Sequence, residues 1–172
     1  MVREFIKYAW YFVFFVLLQT LILNNIQFSS FINPYLYIFF ILILPFELPK
    51  FFLLVASFLL GLSIDLFSNT PGMHTTACLT MAFARPYLLE FIAPREGYET
   101  GQKPLASYFG WSWYFRYSLI MVVIHHVVLF FIEVFSFQNF HLTLFRTFLS
   151  IGFTLVLIFL TQMFFFNPRR SA

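Results

Sequence analysis

From Tyr8 to Phe166 the chain is a succession of apolar runs, interrupted only by short polar, glycine or proline stretches. Runs of roughly 16 to 25 residues with so few charges are read as membrane spans. At 1.5 Å of rise per residue, such a run approaches the ~30 Å hydrocarbon core of a bilayer. Charged residues make up 10% of the chain, against about 25% in a soluble domain, so an ordinary water-facing surface cannot be built. That argues against a soluble enzyme, a disordered tail and a nucleic-acid-binding domain. The net charge of +3 sits beside span ends and not in one basic patch, so no nucleic acid is expected as a partner. The single cysteine, Cys78, excludes an intrachain disulfide and CxxC chemistry. Residues 1–172 are therefore read as a single integral membrane domain.

The expected fold is all-α, a polytopic membrane bundle of six transmembrane helices. The spans are placed at about 8–28, 31–46, 51–67, 73–92, 113–137 and 142–166. The second is short and bracketed by Pro34 and Pro45, so it reads as either a full span or a re-entrant segment. The first lacks an A-x-A-like cleavage site and runs at once into another apolar stretch, so it is not read as a signal peptide. Arg3 and Lys7, Lys50, Arg95 and Lys103, and Arg169 and Arg170 mark alternate connections, and the intervening ones lack lysine and arginine. Positive charge favours the cytoplasmic side, which places both termini and the Lys50 and Arg95–Lys103 loops in the cytoplasm, with Asn69 and Gln138 outside. The loop from Ala93 to Ser112 reads as a solvated linker or as a cytoplasmic docking loop.

At 100° per residue, Ser118, His125, His126, Glu133 and Ser136 fall on one arc of the fifth span. Thr143, Arg146, Thr147, Ser150, Thr154 and Thr161 do the same in the sixth, and Ser57, Gly61, Asp65 and Ser68 in the third. Polar groups in hydrocarbon need partners, so these arcs should face protein. The short connection after the fifth span predicts an antiparallel hairpin with the sixth.

Catalytic signatures are lacking: there is no HExxH, GxSxG, Walker A or glycine-rich phosphate loop, and nothing points to a cofactor. His125 and His126 point about 100° apart, which suits separate hydrogen bonds better than one metal, although haem, metal or proton-relay roles stay open. Asp65, His74, Glu133, His141 and Arg146 lie near outer span ends and read as buried ion pairs or as a ligand or partner site. Their depths predict a pair between Asp65 and Arg146, with Glu133 as the competitor. Arg85, about 10 Å from the inner end of its span, is expected to snorkel to the interface beside a kinking Pro86. Glu47 and Lys50 flank Pro49 in a tight turn.

The stretch Leu42 to Leu89 resembles the rod shape-determining protein MreD family. The features are Pro45-x-Glu47-x-Pro49-Lys50, then Gly61-x-x-x-Asp65-Leu66, then Pro71-Gly72-x-His74, and Arg85-Pro86. Leu23-Asn24-Asn25 also fits, while the last two spans match only in character. The resemblance implies a non-enzymatic scaffold of the bacterial elongation machinery, supporting peptidoglycan synthesis and cell shape. The implied partners are an MreC-like bitopic membrane protein, an MreB-like filament and the peptidoglycan synthase pair, besides membrane lipid. It also implies a helix arrangement like the substrate-binding subunit of energy-coupling-factor transporters, so a vitamin-binding membrane subunit is the alternative reading. Glu47, Lys50, Gly61, Asp65, His74, Arg85, Glu133 and Arg146 are the candidate structural or partner-binding residues.

Overall fold

In a computed structural model of the protein, residues 2–26, 33–134 and 140–165 are described. Ser136, Gln138, Arg169 and Arg170, and the span ends placed at Phe28, Phe31, Phe137 and Phe166, lie outside them. The described residues form an all-helical bundle of α1 (Val2–Leu17), α2 (Phe39–Ile43), α3 (Lys50–Ser68), α4 (Met73–Phe91), α5 (Ala106–Val134) and α6 (Phe140–Phe165). A π-helical turn at Leu18–Ile22 and a 3-10 turn at Leu23–Asn25 extend α1. Four helical stretches are long and apolar enough to cross a membrane: Arg3–Asn25, Lys50–Ser68, Ala106–Val134 and Phe140–Phe164. The helix α4 has the 19 residues of α3 and packs along it, but His74, Arg85 and several threonines dilute its apolar character.

The second apolar run departs from a span in the ordinary sense. Asn33 to Tyr35 are not helical, Leu36–Ile38 form a 3-10 turn, and α2 adds five residues. The eight helical residues of this stretch cover only about 15 Å, half a bilayer core. Yet Leu36 to Leu44 are all buried, at 0 to 6% exposure, because the long helices wrap around them. Backbone that is not hydrogen-bonded to itself survives at membrane depth only when protein surrounds it. This central segment begins beside Ser150 of α6 and ends at Phe46, whose ring stacks on Tyr98 of the 92–105 loop at 4.2 Å. We call the two ends of the bundle the loop end and, opposite it, the far end.

Local signals explain most element boundaries. Asn69 in the left-handed conformation ends α3, and Gly72 at φ 82° turns the chain into α4. A residue with a Cβ would adopt the Gly72 conformation only with strain. Gly110, at φ 80° and ψ 163°, breaks α5 near its start, so a continuous helix runs from Trp111. Pro86 does not end α4, which continues through it to Phe91. On the loop end Lys103 pairs with Glu4 at 3.3 Å, and the Trp113 indole donates to the Ile92 carbonyl.

Candidate functional site: a buried polar axis along the central segment

Asn33 to Leu44 leave backbone groups without helical partners, and the surrounding helices supply side chains to meet them. The Ser150 hydroxyl accepts from the Asn33 amide at 3.1 Å, and the Thr154 hydroxyl accepts from the Tyr35 amide at 3.0 Å. Gln19 works both ways, donating to the Pro34 carbonyl at 2.9 Å and accepting from the Tyr37 amide at 3.3 Å. At the other end of the segment, α2 presents its last carbonyls, which a helix cannot bond internally. Tyr117 donates to the Leu42 carbonyl at 3.2 Å, and Arg85 donates to the Leu44 carbonyl. The polar arcs of α5 and α6 thus face the interior because the central segment needs them.

Arg85 is therefore placed differently from the sequence expectation. It does not snorkel: it is 2% exposed, and its Nε donates to the Tyr117 hydroxyl at 2.8 Å. No carboxylate pairs with it among the described residues. The negative end of a helix dipole attracts a cation, so the carbonyl end of α2 is its electrostatic complement.

Beside the segment, Tyr37 sits at the centre of three histidines. Its hydroxyl is 2.8 Å from His74 Nδ1 and 2.8 Å from His125 Nε2. His126 Nδ1 lies 3.0 Å from the Val122 carbonyl, so it carries a proton, and its Nε2 accepts from Thr154 at 3.1 Å. His125 Nδ1, 3.4 Å from that N–H, is then an acceptor, and its Nε2 donates to Tyr37. Tyr37 in turn donates to His74 Nδ1. One proton per ring satisfies the whole chain, an assignment that follows from the hydrogen-bond pattern. His125 and His126 thus serve separate partners, and among the described residues no group of three His, Cys, Asp or Glu side chains is arranged to hold a metal.

The expected pair of Asp65 with Arg146 does not form. Asp65 instead caps the start of α4: its carboxylate accepts from the amides of His74 and Thr75 at 3.0 Å each, and from the hydroxyls of Thr75 at 2.6 Å and Thr70 at 2.9 Å. Four donors around one carboxylate at a helix N-terminus replace the cation that depth alone had pointed to. Gly61, one turn earlier on the same face, makes this possible. A Cβ there would lie 2.5 Å from Thr75 Cα and 2.8 Å from the His74 carbonyl oxygen. The Gly-x-x-x-Asp spacing is thus one device: the glycine admits the start of α4 and the aspartate fastens it.

Arg146 pairs with Glu133 at 2.9 Å, the competitor, and lies over the Phe130 ring at 4.7 Å. With its side-chain amide turned, Asn33 also accepts from Arg146 at 2.7 and 3.0 Å, which ties the start of the central segment to α6. His141 is exposed beside the Phe140 ring. Glu47 and Lys50 stand apart at the loop end. Glu47 accepts from the Gly101 amide at 2.7 Å, and the Lys50 ammonium lies over the Tyr87 ring at 5.2 Å. Gly61, Asp65 and His74 come together at one helix junction, Glu133 and Arg146 form a second cluster, and Arg85 belongs to a third with Tyr117. Sequence reasoning passed over Gln19, Tyr37 and Tyr117; an isolated glutamine inside an apolar run was the available signal for the first.

At the far end, Asn24, Asn33, Ser68, Thr70 and His74 line a polar pocket of about 180 Å³. Small-molecule sites are generally at least about 300 Å³. No family model, curated protein or solved structure matches the chain.

Proposed function

We propose that the protein is a non-enzymatic membrane scaffold of the MreD type, acting in the bacterial cell-elongation complex by binding partner proteins. One observation carries the reading against a transport or catalytic role. Most of the buried polar side chains around the central segment are engaged within the bundle: Gln19, Asp65, Arg85, His125, His126, Ser150 and Thr154 all have internal partners. A site for a vitamin-sized ligand needs several convergent polar groups facing a cavity of adequate volume, and the far-end pocket is small for that purpose. Long apolar faces of α1 and α3, including Trp10, Phe14, Phe51, Phe58 and Phe67, remain exposed to lipid or to other helices.

On this reading the chain sits in the bacterial inner membrane with the loop end and both termini in the cytoplasm, and the buried central segment makes the sixth pass. The partners are an MreC-like bitopic protein and, through it, the filament and synthase components. Depletion in a rod-shaped host should round the cells and release the MreC-like protein from material co-purified in mild detergent. Normal shape with a vitamin-uptake defect would overturn the scaffold role in favour of a transporter subunit. For topology, a cysteine at Asn69 in a Cys78→Ala background should react with an impermeant thiol reagent in spheroplasts. Labelling at Gln102 instead would invert the arrangement.

A further inference from the structure

The far-end pocket of about 180 Å³ holds a buried donor that the bundle does not use. The Val122 carbonyl fixes the proton of His126 on Nδ1, and the order of donors then runs through His125 and Tyr37 to His74 Nδ1, which accepts. The single proton of the His74 ring is thereby forced onto Nε2. His74 lines the pocket and is 5% exposed, and among the described residues no group accepts from that N–H. A buried donor carries a desolvation cost unless something in the pocket meets it. Two further donors stand in the same wall. The Ser68 hydroxyl accepts from the Asn24 amide at 3.1 Å, which leaves its own hydrogen to donate, and Asn24 keeps a second N–H. Thr70 is the reverse: its hydrogen goes to Asp65 at 2.9 Å, so its oxygen is left to accept.

We infer that this pocket binds a neutral carboxamide group, whose carbonyl accepts from His74 and Ser68 and whose NH2 donates to Thr70. Charge decides against an anion. Asp65 stands beside the pocket, bonded to Thr70, and among the described residues no cation pairs with it. Arg146, bonded to Asn33 on the pocket wall, is already matched by Glu133. A carboxylate guest would therefore meet an uncompensated negative charge at short range, and a cation would meet a wall of donors. Size sets the guest. An apolar cavity of about 150 Å³ holds benzene, so this pocket has room for about six heavy atoms, one side-chain amide or a small free amide. Pro34 and Tyr35, whose ring lies 5.3 Å from that of His74, offer an apolar wall to the short alkyl part of such a guest. The inference is independent of the scaffold reading.

The test uses the full chain in detergent, labelled with 15N-histidine, and nuclear magnetic resonance of the ring nitrogens, with the His74 ring assigned through its own backbone amide. His74 should carry its proton on Nε2, and propionamide should shift that resonance saturably, whereas sodium propionate at equal concentration should leave it in place. Ser68→Ala should weaken propionamide about two- to tenfold, the contribution of one hydrogen bond. Two peptides then locate the source. A response to acetyl-Gly-Gln-Gly-amide, but not to its Glu counterpart, assigns the guest as a side chain of another polypeptide; a response to propionamide alone assigns a free small amide. A proton on Nδ1 of His74, no saturable shift with propionamide, an equal response to propionate, or unchanged affinity in Ser68→Ala would each overturn the proposal.

Discussion

Gly61→Ala is the smallest change that tests how α3 and α4 are joined. The added methyl would sit 2.5 Å from Thr75 Cα and 2.7 Å from its amide nitrogen, both backbone atoms. Reaching an ordinary contact of about 3.4 Å requires the start of α4 to retreat by about 0.9 Å, the difference between 3.4 and 2.5 Å. That motion lengthens the 3.0 Å bonds from the His74 and Thr75 amides to Asp65 beyond hydrogen-bond range. Overpacking alone costs about 1–3 kcal/mol, and each bond to a charged group contributes about 1.5–3 kcal/mol. A loss of at least about 4 kcal/mol is expected, roughly a thousandfold in the folding equilibrium. Asp65→Ala should cost at least as much, because it strands the same two amides and two hydroxyls. Since Gly61→Ala already loosens the cap, the double variant should lose less than the sum, by at least about 1 kcal/mol. Equilibrium unfolding in mixed dodecyl maltoside and SDS micelles reads all three. Wild-type stability for Gly61→Ala, or strict additivity in the cycle, would refute the coupling.

The same assay separates the far-end charges: Glu133→Ala and Arg146→Ala should couple, by up to about 1 kcal/mol for this part-exposed pair, whereas Asp65→Ala and Arg146→Ala should add. Arg85→Leu leaves the Leu44 carbonyl and the Tyr117 hydroxyl short of a partner, so a loss of about 2–4 kcal/mol is expected, with Arg85→Lys milder; stability unchanged in both would remove Arg85 from the core. Burial pushes the Tyr98 phenol up to about 12, against the weaker opposing influence of the Trp113 indole and the Arg85 guanidinium. Its folded form therefore favours the neutral phenol, so the 92–105 loop should keep its stability below pH 10 and lose it as pH rises toward 12. Tryptic cleavage at Arg95 followed against pH should show this, and Tyr98→Phe should abolish the Tyr98-dependent part.

The long helices were legible because their signal is redundant: α3 and α4 begin and end within a residue of the expected limits, since Pro49, Asn69 and Gly72 punctuate them. The inward polar arcs were legible for the same reason, as His125, His126, Thr147, Ser150 and Thr154 are all buried. Partners were harder to read. Depth and face allowed Asp65 to meet Arg146, but a turn of a few residues brings backbone amides to the carboxylate, and a local donor set needs no second helix to arrive. Arg85 looked close enough to the interface to snorkel, and only the position of Leu44 reveals what holds it inside. The central segment was the least legible, because an apolar run carries no mark of whether it faces lipid or other helices.

That segment also has a consequence for how the chain is made. Its amides at Asn33 and Tyr35 bond to side chains 117 and 119 residues further along, on the last helix. As it leaves the ribosome, this stretch has neither the helical length to settle in lipid alone nor all the partners that later satisfy it. The bonds to Ser150 and Thr154 therefore form only once the last helix is in place, whereas Gln19, made earlier, can meet Pro34 and Tyr37 from the start. The middle of the protein is completed last, by the end of the chain closing over a strand of backbone synthesised near the beginning.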